Sequence, residues 1–203
     1  MNNYIIGAGG FAKEVYFMLL KNNIKCDGFI DIDKKIIKVN NKIFETIEES
    51  YLNSHESKNN NYYIGIGNPQ IIQKLKKFLN KLNFPNLIDK NTVITGNVNF
   101  GFGNIVCSNV VMTCDINIGN FNIFNLSSTV GHDVLIGDCN VFNPTTCISG
   151  NTVIGNNNLF GVNSTILEKI KIKNDIIIGA NALVNKNIED AGIYIGLPAK
   201  RKV

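Results

Sequence analysis

The chain has 203 residues, 44% hydrophobic and 18% charged, with a net charge of +4. That is enough apolar material for one core or two small ones, and it excludes a disordered chain. The lysines are scattered apart from "AKRKV" at 199–203; no basic stripe interleaved with aromatics marks a nucleic-acid surface, and no apolar stretch is long enough to span a bilayer.

The first element is "YIIGAGGFAKEVYFMLLK", residues 4–21. It reads as a buried strand, a Gly-rich turn and an amphipathic helix with Val15, Met18 and Leu19 on one face. Gly7, Gly9 and Ala12 match G-x-G-x-x-A, a spacing of small residues that lets backbone amides and a helix N-terminus approach a phosphate. The same spacing also serves simply to pack a strand against a helix. A second strand follows in "CDGFIDID", and its Asp31, 24 residues past Gly7, is placed to accept from a ribose or a base.

Residues 50–61, rich in Lys and Asn, read as a surface loop or frayed helix, and His55 within them as a solvated side chain. A third strand, "YYIGIGN", leads into the helix "PQIIQKLKKFLNKL" over 69–82, opened by Asn68 with Pro69 in its first turn. These elements form a small α/β unit over residues 1–86. A dinucleotide-dependent dehydrogenase is the obvious rival reading, but the unit is about half of a full dinucleotide fold and no matching catalytic domain follows.

From Ile88 every sixth residue is large and apolar, through Phe100, Met112, Phe124, Ile136, Ile148, Phe160 and Ile172 to Val184, seventeen positions in all. At 44% hydrophobic composition, chance produces such a run with a probability on the order of one in a million. A period of six fits neither helix nor simple strand. With Gly and Asn between the apolar residues it fits short strands joined by tight corners, where both residues tolerate left-handed backbone angles. This is a hexapeptide β-helix over 87–203, with residues 18 apart stacked at about the 4.8 Å strand spacing. The threonines form no continuous column, which argues against an ice-binding face.

Within the repeat, "STVGHDVLIG" sets His132 beside Asp133. Imidazole titrates near neutral pH and suits general-base work, and an adjacent carboxylate fixes its tautomer and stabilises the cation that forms. A histidine at a solenoid corner is otherwise just a solvated turn residue. Subtracting 18 places Cys114 and Asp115 beneath the pair, so Asp115 is a second candidate orienting carboxylate; adding 18 places Gly150 above His132. Five cysteines (26, 107, 114, 139 and 147) include no C-x-x-C pair. With no secretory leader in "MNNYIIGAGG" they read as reduced thiols of a cytoplasmic protein, neither disulfides nor metal ligands.

The order "GAGGFAKEV", "GFIDID", "IGIGN", hexapeptide helix, "GHDVLIGD" and "GLPAK" resembles the bacterial nucleotide-sugar acyltransferases that include the bacillosamine-pathway N-acetyltransferase and the sialic acid O-acetyltransferases. The resemblance covers nearly the whole chain. It implies a Rossmann-like subdomain before a left-handed parallel β-helix, a homotrimer, and acetyl-CoA lying between neighbouring β-helices. It also implies a nucleotide-linked amino sugar on the N-terminal unit, with neither metal nor nucleic acid nor membrane involved. By the same resemblance His132, Asp133 and Asn125 are catalytic. Gly7, Gly9, Gly10, Phe11, Asp31, Ile32, Gly67 and Asn68 bind the sugar substrate. Gly150 offers its amide to the thioester carbonyl, Gly161 and Ala180 flank the pantetheine arm, and Lys186, Lys200 and Arg201 meet the CoA phosphates. Some relatives carry a second histidine nine residues after the first, where this chain has Val141.

The expected reaction is acetyl transfer to the amine of a nucleotide-linked 4-amino-4,6-dideoxy sugar for surface glycans. The alternatives are a sialic acid-type O-acetyltransferase and a non-catalytic nucleotide-sugar-binding solenoid. The nucleotide, the acceptor atom and the acyl length stay open at this level.

Overall fold

A computed structural model describes residues 1–78 and 81–202. Strand β1 (Asn3–Ile6) leads through the Gly-rich turn into helix α1 (Gly10–Lys21), which buries Ala12, Val15, Tyr16, Met18 and Leu19. Strand β2 (Gly28–Asp31) returns beside β1 in parallel, pairing Tyr4 with Gly28 and Ile6 with Ile30. Two short strands, β3 (Ile36–Val39) and β4 (Lys42–Glu45), then form an antiparallel hairpin. Asn40 and Asn41 turn it with φ of 49° and 57°, the double left-handed turn that matches strand twist. Strand β5 (Ile47–Glu48) joins the edge, and β6 (Asn61–Ile64) completes a parallel sheet of order β5-β2-β1-β6.

Two readings are refined here. The hairpin occupies a stretch for which the sequence signals no element, because Asn-Asn is a weaker turn mark than Asn-Gly. Residues 50–61 follow the frayed-helix alternative and are not an open loop: two 3₁₀ turns, Glu49–Asn53 and Glu56–Asn59, bury Leu52, Ser57 and Asn60, while His55 stays exposed. Helix α2 (Pro69–Leu75) starts at Asn68, whose side chain accepts from the Ile71 amide at 3.1 Å, and continues as a 3₁₀ turn over Lys76–Phe78. The predicted continuation through residues 79 and 80 lies outside the described residues.

From Leu87 the chain winds into a left-handed parallel β-helix with three flat faces, sheets of eight, six and five strands. Each strand pairs with the one 18 residues on: Val106 with Phe124, Met112 with Val130, Ile118 with Ile136. The every-sixth apolar residues fill the prism from Val106 to Val184, where Phe124, Phe142 and Phe160 stack with centroids 4.8 and 4.7 Å apart. Ile94 remains 39% exposed, because the first coil has no coil beneath it. A buried column of Asn104, Asn122, Asn140 and Asn158 satisfies the corner backbone. Each accepts the amide of the residue one coil above, as from Asn122 N to Asn104 Oδ1 at 2.9 Å.

Among the described residues glycine makes just one corner of this series, Gly103 with φ 67°. Thirteen non-glycine residues, Asn109 and every sixth residue to Asn181, hold φ between 56° and 63°, and eight of them are Asn or Asp. These are the side chains that best tolerate that region. The glycines following the apolar positions serve close coil-to-coil approach: a Cβ on Gly137 would lie 2.6 Å from the Gly155 carbonyl oxygen.

The α/β unit packs on the eight-stranded face. Ile105, Ile123, Val141, Phe121 and Cys139 of the solenoid share its apolar core. Two ion pairs clamp the contact, Lys21 to the buried Asp89 at 2.6 Å and Lys76 to Asp138 at 2.7 Å. In both, burial pulls the carboxyl upward, but hydrogen bonds from the lysine and from backbone amides outweigh it and hold the acid below its ordinary range.

Candidate active site

The three corner columns divide the candidate residues. His132 and Asp133 occupy the corner between the six- and five-stranded faces, in the column Gly96, Cys114, His132, Gly150, Glu168, Lys186. Asp133 takes the left-handed position with φ 56°, which turns its carboxylate back onto its neighbour: Oδ2 lies 2.7 Å from His132 Nδ1. Nδ1 is thereby the engaged nitrogen, and Nε2 is left for chemistry. Both side chains are half exposed, at 55% and 56%. Of the two carboxylates open in the sequence, Asp133 is the one in contact; Asp115 makes no hydrogen bond or ion pair among the described residues.

Gly150 lies directly above the imidazole. A Cβ there would fall 2.6 Å from both Cε1 and Nε2 of His132, so the ring rests on the glycine backbone. The Gly150 amide donates to no group among the described residues.

Asn125, Gly161 and Ala180 sit elsewhere, at the corner between the eight- and six-stranded faces. Asn125 Oδ1 accepts from the Leu126 amide at 2.7 Å, capping its own corner. A Cβ on Gly161 would lie 2.4 Å from Ala180 N, so close coil packing already explains that glycine. Within one chain these residues do not meet His132. Lys186 and Lys200 are exposed, and Arg201 Nη2 donates to the Ala191 carbonyl at 2.8 Å. Val141, at the place of the second histidine of some relatives, is 1% exposed beneath the α/β unit and contributes packing alone.

The N-terminal candidates gather at the C-terminal ends of β1, β2 and β6, the crevice where open parallel sheets receive ligands. They are not equivalent. Gly7 has φ +108°, and a Cβ on it would strike Ile66 at 2.7 Å and the Gly65 carbonyl at 2.8 Å, a backbone requirement. Gly9, Gly10 and Gly67 border open space, with nothing within 4 Å of a Cβ on any of them. The start of α1 and the loop after β6 therefore leave this end of the sheet uncrowded. Phe11 packs against the core and Asn68 caps α2. Asp31 pairs with Lys35 at 3.0 Å, while Ile32 is 72% exposed beside it.

All five cysteines are free thiols. Burial pushes Cys26 up to about 11 and Cys107 and Cys139 up to about 12, so these three are inert. The described residues contain no cluster of three or more acidic, His or Cys side chains able to hold a metal, and no helix long and apolar enough to cross a membrane. Sequence reasoning missed the two Lys–Asp clamps. One had a signal: Asp138 interrupts the 18-residue column Asn120, Asn156, Asn174.

Comparison with known proteins follows the same division. A family model described as the PglD N-terminal domain matches residues 2–79. No curated protein sequence matches the chain. Among solved structures, PerB from Caulobacter crescentus in complex with CoA and GDP-perosamine superposes with a TM-score of 0.91 at 26% identity, over 100% of this chain and 98% of that one. WeeI from Acinetobacter baumannii superposes with a TM-score of 0.89 at 27% identity, over 100% of both chains. The acetyltransferase domain of PglB from Neisseria gonorrhoeae, 24% identical, shares the fold with a TM-score of 0.89 over 99% of each chain. Over its full length the chain is thus similar in fold to these structures, one of which holds CoA and GDP-perosamine.

Proposed function

We propose that the chain transfers the acetyl group of acetyl-CoA to the amine of a nucleotide-linked 4-amino-4,6-dideoxy sugar destined for a surface glycan. The observation that carries this reading is the whole-chain superposition on a perosamine N-acetyltransferase bound to CoA and GDP-perosamine. Residues 1–86 hold the nucleotide, with the amides at Gly9 and Gly10 facing phosphate and Asp31 facing ribose or base. Residues 87–203 carry out acyl transfer.

In the reaction the sugar amine attacks the thioester carbonyl, forming the C–N bond. His132 Nε2 takes the proton the amine sheds, and Asp133 at 2.7 Å holds Nδ1–H and stabilises the imidazolium. The C–S bond then breaks, and the proton passes from Nε2 to the departing sulfur. The Gly150 amide faces the carbonyl oxygen as it gains charge.

The reading includes a homotrimer. Asn125, Gly161 and Ala180 stand one full face away from the His132 column, so one chain supplies only part of the site. Exposed Leu126, Val162 and Leu167 along these corners suit contact between copies. A thiol-release assay with acetyl-CoA across GDP-, UDP-, dTDP- and CMP-linked amino sugars, and free sialic acid, tests the assignment. Turnover on an amino sugar supports it. Turnover on sialic acid alone establishes the O-acetyltransferase alternative, and thiol release with none of the panel overturns the proposal.

A further inference from the structure

We infer that Gly131 is a positioning residue of the acyl-transfer site, kept without a side chain so that the Gly150 amide stays open to the thioester carbonyl oxygen; this rests on the proposed function. The repeat provides its own controls. In the His132 column, Cys114, His132, Gly150, Glu168 and Lys186 all leave their amides without a partner among the described residues. A free amide is thus a property of this corner and not of Gly150 alone. What differs is the residue standing beside each amide from the coil below: Thr95 for Cys114, Thr113 for His132, Gly131 for Gly150, Ser149 for Glu168 and Leu167 for Lys186. Only beside Gly150 is that residue a glycine.

A Cβ at 131 would lie 2.8 Å from Gly150 N. That is the distance of a hydrogen-bonded oxygen, so even a methyl group takes the acceptor's seat. At this coil a side chain fits only with a small backbone shift, since a Cβ would also meet Ser149 C at 3.1 Å, yet the register itself accepts side chains. Gly131 is absent from the residues with positive φ, and Thr113 and Ser149 occupy the same register one coil below and above. The seat also borders the imidazole, since a Cβ on Gly150 would fall 2.6 Å from His132 Nε2. Amide and base therefore flank one point from which carbonyl oxygen and amine proton are both within reach. Two adjoining glycines, on successive coils, clear that point.

The test compares wild type with Gly131→Ala and with Thr95→Gly, which changes the same register two coils lower. Steady-state kinetics are measured with acetyl-CoA and the best amino sugar, with thermal melting in parallel. Losing one oxyanion donor typically costs about 10²- to 10³-fold in kcat, and a methyl that crowds one should cost at least about 10-fold. The expected result is that loss in kcat for Gly131→Ala, both KM values within about threefold, a melting temperature lowered by no more than a few degrees as the coil gives way locally, and wild-type kinetics for Thr95→Gly. A kcat within about twofold of wild type, a change confined to KM, or an equal loss in Thr95→Gly overturns the inference while leaving the proposed function standing. An inactive wild type overturns the proposed function itself.

Discussion

His132 and Asp133 are consecutive residues whose side chains meet at 2.7 Å because the second of them occupies the left-handed corner. The dyad is therefore local, built by one backbone turn. His132→Ala should lower kcat by roughly 10²- to 10⁴-fold with little change in nucleotide affinity, the usual contribution of a positioned base. Asp133→Asn keeps a side chain suited to the corner but removes the charge, so it should cost more than Asp115→Asn, whose carboxylate makes no hydrogen bond or ion pair among the described residues. Steady-state kinetics of the three variants check the ranking; the reverse order would make Asp115 the orienting group.

Gly150→Ala should displace the imidazole, since its Cβ would fall 2.6 Å from the ring. The chain can relieve the contact only by turning a half-exposed side chain outward, so folding should survive. The expected outcome is a drop in kcat of about 10-fold or more, as for a lost proton-transfer geometry, with near-native melting. Unchanged turnover would separate His132 from the chemistry.

Asp138→Asn separates the interdomain clamp from the corner ladder. Asparagine already fills positions 120, 156 and 174 of that column, so it can still accept from the Asn120 amide, but it cannot pair with Lys76. The pair is partly solvated, at 39% and 22% exposure, and is worth about 1 kcal/mol. That corresponds to a melting shift of about 2–4 °C in a chain of this size. The sign in pH follows from the directions. Asp138 is held below its ordinary value, so its contribution is present above the unfolded value near 4 and is lost as pH falls through the folded one. Lys76 is raised by its hydrogen bond to Asp138, so its contribution persists through neutral pH and is lost only in strong alkali. Melting curves should therefore show the gap between variant and wild type at pH 6–8 and its collapse in acid. A constant gap down to pH 3 would refute the clamp.

Assembly is tested directly by sedimentation. The division of Asn125, Gly161 and Ala180 from His132 by a full face predicts a species near 67 kDa, three chains of 22.4 kDa. A fully active monomer would remove the argument that one chain supplies only part of the site.

What the sequence made legible was what repeats. The period of six gives core, corners and stacking at once, because each coil poses the same packing problem, and a departure such as Asp138 stands out against its asparagine column. The hairpin at residues 36–45 was hidden because its turn uses two asparagines, and the buried 3₁₀ turns because polar residues such as Ser57 and Asn60 fill interior sites. The role of Gly131 was hidden for a different reason. Glycine follows the apolar position on many coils, and Gly131 is set apart by the amide it stands beside, next to the His132 ring, which only the folded structure brings together.

The N-terminal crevice offers the last test, where a dehydrogenase-like and an acyltransferase reading of the Gly-rich turn part. Gly9, Gly10 and Gly67 open onto it, and Asp31 borders it at 12% side-chain exposure, tied to Lys35. Calorimetry should show binding of a nucleotide-diphosphate ligand and none of NAD at the same concentration. Asp31→Ala frees Lys35 and removes the acceptor, so KM for the nucleotide sugar should rise while KM for acetyl-CoA stays nearly constant. The crevice precedes the solenoid in the chain, and the proposed acyl-transfer corner is built from coils around residues 131–150, so on this proposal the two substrates draw binding energy from separate surfaces. A change confined to the KM for acetyl-CoA, or tight NAD binding without nucleotide-sugar binding, would show that this crevice serves another ligand.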